Sequence, residues 1–276
     1  TYRARVRARN HVAAFIKSFY RRSDMSMLEL TPDFIKEFAA YLSTEAGLRN
    51  GSIWANCMWL KGVVMKAHYN GLIPRNPFIQ FHISPNVKER EYLTEDELKA
   101  VMTHEFADSK LAYIRDIFIF ASFTALSFVD IQELTNDNIV EVNGEKWILS
   151  KRHKTKVAFQ VKLLDIPLQI VERYRPMQKD NRIFPGLNYW SICKPLKRMI
   201  RECGITKSIS FHCSRHGFAT LALSKGMPIE SVSRVLGHTN IVTTQIYAKI
   251  TTQKLDNDLT MFGNKLNKVF NDVSMV

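Results

Sequence analysis

Asn143-Gly144 stands between two short alternating stretches, Ile139–Val142 and residues 146–149, and so marks a two-residue hairpin in a chain whose patterning is otherwise helical. Both turn positions of such a hairpin need a positive φ, which Asn and Gly tolerate better than other residues. A third stretch, residues 157–164, completes a small antiparallel sheet. The expected fold is therefore mainly α with one small antiparallel β-sheet.

Helical signals precede the sheet. At Thr31-Pro32-Asp33 a capping hydroxyl is followed by proline at the first helical position, and Phe34, Ile35, Phe38 and Leu42 then fall on one face. A second helix opens at Ser52 and runs to Gly71, with Pro74 and Pro77 closing the segment. Residues 81–92 (FHISPNVKEREY) hold no sustained period and lead into Thr94-Glu95-Asp96-Glu97, a capping box. This places a linker at 81–92, between a helical domain of residues 1–80 and a second domain of residues 93–276. The second domain has helices near 95–103, 109–125 and 128–134, then the sheet, then helices from Pro167 onward, the last from about Thr252. The aromatic residues Phe118, Phe120, Phe123, Phe128, Trp147 and Trp190 read mainly as core.

The formal net charge of +13 is large for 276 residues and repels itself unless a polyanion neutralises part of it. The first acid, Asp24, comes only after Arg3, Arg5, Arg7, Arg9, Lys17, Arg21 and Arg22. Phosphate binding is a natural use for this stretch, and a solvated helix face is its ordinary alternative. Cys57, Cys193, Cys203 and Cys213 form no CxxC pair, so neither a disulfide framework nor a zinc ribbon is indicated. No apolar run reaches membrane-spanning length. The expected setting is the cytoplasm, the expected partner nucleic acid, and the start at Thr1 suggests an excised fragment.

Chemistry concentrates near the C-terminus, at His212-Cys213-Ser214-Arg215, Leu236-Gly237-His238 and Thr243-Thr244-Gln245-Ile246-Tyr247. On a helix, His212 and Arg215 lie one turn apart and can address one anionic group. A phosphodiester exchange needs a nucleophile, cations around the phosphate oxygens and a proton donor for the departing oxygen. Tyrosine, with a pKa of about 10, is a poor nucleophile unless cationic neighbours or a base assist it. His212, Cys213 and His216 lack the spacing of a paired metal-ligand set, so no metal is expected.

The motifs HCSRHGFATLALSKG, LGHTN and TTQIYAK resemble those of the tyrosine recombinases, the phage-integrase family, with the flavour of integrases of Bacteroides-type mobile elements. The resemblance runs from Thr94 to about Lys249, and the N-terminal helical segment resembles the family's SAM-like core-site-binding domain. It implies Tyr247 as nucleophile, Arg215 and His238 as phosphate donors, and His212 in proton transfer or phosphate positioning. A hairpin lysine would protonate the leaving sugar oxygen; Lys154 matches best, with Lys151 and Lys156 as alternatives. The implied reaction is site-specific cleavage and rejoining through a covalent 3′-phosphotyrosine, without cofactor. The implied assembly is a homotetramer on DNA, with a monomer possible when free.

One departure stands out. Where the family usually has Thr-Gly-Leu-Arg with an acid three positions later, this chain has Thr124-Ala125-Leu126-Ser127 and then Asp130 as the supporting acid. A missing phosphate donor of this kind costs about 2.7–4 kcal/mol of transition-state stabilisation. Arg115, on the helix leading into this turn, is the expected substitute for Ser127; the competing reading of Arg115 is an ion pair with an acid elsewhere in the fold. Two rival functions remain at this point, a catalytically impaired DNA-binding protein of the same fold and a type IB topoisomerase.

Overall fold

In a computed structural model, which describes residues 2–85, 91–178, 180–248 and 252–270, the chain divides into two units, Thr1–Glu89 and Arg90–Val276. The first contains α1 (Tyr2–Phe19), α2 (Pro32–Thr44) and α3 (Asn50–Tyr69). Thr31 caps α2, its hydroxyl accepting from the Phe34 N–H at 3.2 Å, as the sequence pattern requires. Helix α3 starts at Asn50, two residues earlier than expected, and the chain leaves it at Gly71, φ +71°. Phe34, Ile35, Phe38 and Leu42 pack with Phe15 of α1 and Cys57 and Val64 of α3. Each fully buried side chain of this kind contributes about 1.5–3 kcal/mol. Phe81 and Ile83 also pack on this core, while the Tyr92 carbonyl accepts from Lys207 at 3.2 Å and the Glu91 carboxylate from the Ser208 N–H at 2.6 Å, so both units reach into the expected 81–92 linker. Residues 86–90 of that stretch lie outside the described residues.

The second unit begins with α4 (Glu95–Thr103), opened by the capping box: the Glu97 N–H donates to Thr94 Oγ1 at 3.3 Å and the Thr94 N–H to Glu97 Oε2 at 2.8 Å. Next come α5 (Ser109–Thr124), α6 (Phe128–Gln132), β1 (Ile139–Val142), β2 (Glu145–Lys151), β3 (Ala158–Lys162) and α7 (Asp165–Tyr174). They are followed by α8 (Tyr189–Glu202), α9 (His212–Ser224), α10 (Ile229–Leu236), α11 (Val242–Gln245) and α12 (Thr252–Phe270). Helix α5 is apolar nearly all round and buries Leu111, Ile114, Ile117, Phe118 and Phe120, which makes it the central helix against which α7, α8 and α9 pack. Phe128 is buried as well, but Trp190 is 83% exposed and departs from the expected core set. No helix among the described residues is long and apolar enough to cross a membrane.

The sheet has the order β1-β2-β3, antiparallel throughout. Asn143 and Gly144 both take positive φ, +52° and +77°, as a hairpin turn matching the strand twist demands. Strand β2 runs two residues past the expected end, carrying the chain to Arg152 with side chains alternating between the two faces. A Cβ added at Gly144 meets no atom within 4 Å. Gly144→Ala should therefore act through backbone strain alone, lowering stability by about 1–2 kcal/mol in urea denaturation without changing the fold.

Candidate active site

The site is built around the C-terminal end of α10, where the last carbonyls of a helix carry partial negative charge and lack helical partners. Two arginines from distant parts of the chain occupy consecutive carbonyls there. Arg152 Nη2 donates to the Val235 carbonyl at 2.5 Å, and Arg215 Nη2 donates to the Leu236 carbonyl. Arg215, from the first turn of α9, also donates through Nη1 to the Ala125 carbonyl at 2.8 Å. The chain turns away from α10 at Gly237, φ +62°, where a Cβ would lie 2.9 Å from Arg152 Nε. Glycine at this point of the LGH motif thus gives room to an arginine as well as ending the helix.

Arg152 is 5% exposed, and its charge is balanced by Asp130, 8% exposed, at 2.7 Å. Its guanidinium carbon lies 3.9 Å from the centre of the Phe159 ring. Asp130 also accepts from the His153 N–H at 3.0 Å and from the Ser127 hydroxyl at 2.8 Å, while Ser127 caps α6. Burial would raise the Asp130 pKa, but the His153 N–H, the Arg152 guanidinium and the Ser127 hydroxyl together hold it below its usual value. Asp130 is the supporting acid, and what it supports is Arg152.

The other side chains converge on these two cations. The Arg215 pKa falls to about 10, chiefly through burial and then through the neighbouring Arg152 charge, so the guanidinium stays charged at neutral pH. His238 falls to about 4 through burial and then the charges of Arg215, Arg152 and His212, so it is neutral at pH 7. Its Nδ1 is 2.9 Å from the Thr244 hydroxyl; with that hydroxyl donating, the proton sits on Nε2, where it can be offered to an anion. Tyr247 lies close enough for its phenolate charge to raise the Arg215 pKa, and it packs against the cluster of Ala125, Ala219, Leu223, Val232 and Leu236. Its hydroxyl is 2.6 Å from His216 Nδ1. His212 opens α9, exposed, with its ring 4.5 Å from that of His216. Lys154 sits at the exposed tip of the β2-β3 turn, near Lys156, and Lys151 is exposed at the end of β2. Among the described residues no group of three His, Cys, Asp or Glu side chains is placed to hold a metal ion.

Arg115 is not brought to this cluster. Its Nε donates to Asp116 at 2.9 Å and its Nη1 to the His104 carbonyl at 2.9 Å, and it lies over the Phe106 ring. It lies nine positions before Thr124 on α5, about 14 Å along the helix axis. Arg115 is paired with its own chain neighbour Asp116, not with an acid elsewhere in the fold, and Arg152 is the cation beside Ser127, both side chains meeting Asp130. Arg152 and His216 are the two residues that the sequence motifs did not single out for the site. In the first unit, Arg3, Arg5, Arg7, Arg9, Lys17, Arg21 and Arg22 are all exposed, and Arg22 pairs with Glu29 at 2.6 Å. Because α1 is helical, alternation splits its arginines into two rows, Arg3 with Arg7 and Arg5 with Arg9, on different faces.

Two outcomes test this geometry. Asp130→Ala leaves the Arg152 charge buried without its partner and should lower stability by about 3–5 kcal/mol, read by denaturant titration. A folded-state pKa of about 4 for His238, against about 6.5 when unfolded, means its neutral form contributes stability that is complete above pH ~6.5 and is lost as the pH falls toward 4. The stability difference between the DNA-free protein and His238→Gln should shift against the wild type over that window, and a difference that does not vary with pH would contradict this electrostatic account.

The profile of the phage integrase family matches residues 91–254, and that of the phage integrase SAM-like domain matches residues 1–83. The tyrosine recombinase XerA of Pyrococcus horikoshii is 32% identical over 177 residues, 59% of this chain and 58% of the relative. XerC of Lactobacillus leichmannii is 26% identical over 229 residues, 78% of this chain and 77% of the relative. Among solved structures, the Tn1549 transposon integrase in complex with a circular intermediate DNA superposes with a TM-score of 0.79 at 16% identity, over 95% of this chain and 94% of that one. A lambda integrase dimer bound to a core site superposes with a TM-score of 0.66 at 18% identity, over 86% of each. With the two family profiles spanning nearly the whole chain in family order, the chain belongs to the phage integrase family.

Proposed function

We propose that the protein is a site-specific DNA recombinase that cleaves and rejoins strands through a 3′-phosphotyrosine on Tyr247. The observation that carries this reading is the convergence of Tyr247 with two buried guanidiniums at the end of α10. A phosphodiester in this pocket meets Arg215, Arg152 and the Nε2 proton of His238, all fixed before substrate arrives, so little reorganisation is needed as charge develops. Tyr247 attacks phosphorus, the bond to the 5′ oxygen breaks, and Lys154 supplies the proton to that oxygen. The 5′ hydroxyl of a partner strand reverses the steps. Bond energy is kept in the phosphotyrosine, so no nucleotide is consumed. His212, at the exposed mouth beside His238, takes part in phosphate positioning.

Arg152 fills the role of the cation absent at Ser127. This favours an active enzyme over a DNA-binding protein that has lost catalysis. The relatives are tyrosine recombinases, and solved integrases of this fold are bound to DNA, which favours strand exchange over simple relaxation. The basic residues of α1 contact the phosphate backbone near the core site. The enzyme works in the cytoplasm as a tetramer on double-stranded DNA, and α12, with Leu255, Leu259, Phe262 and Leu266 exposed, supplies apolar surface for contact between protomers.

The test is trapping on a nicked suicide duplex carrying the core site, followed by denaturation. Wild type should leave DNA covalently attached to protein, and Tyr247→Phe should bind the duplex without attachment. Arg152→Lys keeps a charge for Asp130 but loses the planar fork, and should slow cleavage about 10²–10³-fold. Arg115→Ala should lose about 1–3 kcal/mol of stability yet cleave at the wild-type rate per folded molecule. Normal cleavage by Arg152→Lys would overturn its assignment.

A further inference from the structure

We propose that His216 is the group that takes the Tyr247 proton during strand cleavage. This rests on the reading of Tyr247 as nucleophile and adds the fate of its proton.

Three observations lead here. The Tyr247 hydroxyl is 2.6 Å from His216 Nδ1, a short hydrogen bond to the atom that must become the nucleophile. His216 is 6% exposed on α9, a helix anchored by buried Cys213, Ser214 and Arg215, so its ring is set by packing and not by solvent. The two rings sit with centroids 5.2 Å apart at 45°, and the His212 ring stacks edge-on from the turn before. With the imidazole neutral and its proton on Nε2, Nδ1 accepts from the phenol. As the Tyr247 oxygen bonds to phosphorus, its proton passes to Nδ1, while the separate donor at the 5′ oxygen protonates the leaving group. In the rejoining step the imidazolium returns the proton to the departing phenolate, and the balance closes. A phosphate entering beside Arg215 and Arg152 adds negative charge near the imidazole as it takes up the proton. Proton transfer is thereby tied to the presence of DNA.

The experiment is single-turnover cleavage of the suicide duplex by His216→Asn, whose amide oxygen keeps an acceptor near the Nδ1 position but cannot hold the proton. Melting and DNA binding serve as folding controls, and His216→Gln replaces the variant if Asn fails them. Cleavage should slow by about 100-fold or more with binding unchanged. A duplex with sulfur in place of the bridging 5′ oxygen, a leaving group that needs no proton, should not restore the rate. A fluorinated tyrosine at position 247, whose phenol is more acidic, should restore much of it. Wild-type cleavage by His216→Asn, or rescue by the sulfur substrate, would overturn the assignment. Failure of the wild type itself to form the adduct would instead overturn the recombinase reading on which it rests.

Discussion

The site depends on one buried ion pair, Asp130 with Arg152. Taking both charges out of water costs several kcal/mol each, and a single contact at 2.7 Å does not repay that by itself. The remaining compensation comes from the His153 N–H and Ser127 hydroxyl on the acid, and from the Val235 carbonyl and Phe159 ring on the base. These groups belong to the α6 cap, the β2-β3 turn, β3 and the end of α10. The pair thus fastens the start of α6, the β2-β3 hairpin and the end of α10 at one point, and each carries something the chemistry needs.

A second consequence is electrostatic. Holding Arg152 and Arg215 on adjacent carbonyls places like charges side by side in a partly dehydrated pocket, which the helix end tolerates because its carbonyls are negative there. Burial first, and the same field after it, keep His238 neutral, so the pocket has two fixed charges and a polar donor in place of three competing cations. A phosphate relieves the repulsion on entering. Part of the binding energy for the scissile group is therefore stored in the folded protein, at the expense of stability, and Gly237 is the residue whose missing side chain permits it.

The parts of this architecture governed by neighbours in sequence were legible in it. The Thr31 and Thr94 caps, the Asn143-Gly144 turn and the apolar face of α2 appear in place because each is a local balance of hydrogen bonding and backbone strain. Element ends slipped by two or three residues, at α3, β2 and the linker, where tertiary packing decides. The cation that we propose in place of the missing one was not legible from proximity along the chain. Arg115 precedes Ser127 closely but points to Asp116, whereas Arg152 comes 25 residues later and reaches Asp130 across the turn. A period-2 reading of β2 held the signal: Ile148, Ser150 and Arg152 share the inward face and Lys151 points out. His216 carried a similar signal, one helical turn beyond His212, but only the fold shows that Tyr247 returns to meet it.

Ser127 has two bonding roles of its own, at the helix cap and on the buried acid. An arginine there would bring its charge from the start of α6, where Ser127 instead gives its hydroxyl to the helix cap and to Asp130. That second bond helps fix the carboxylate that fixes Arg152. Serine at one position and arginine at the other are therefore two ends of one network, joined through Asp130, and the cost of changing either depends on the residue at the other.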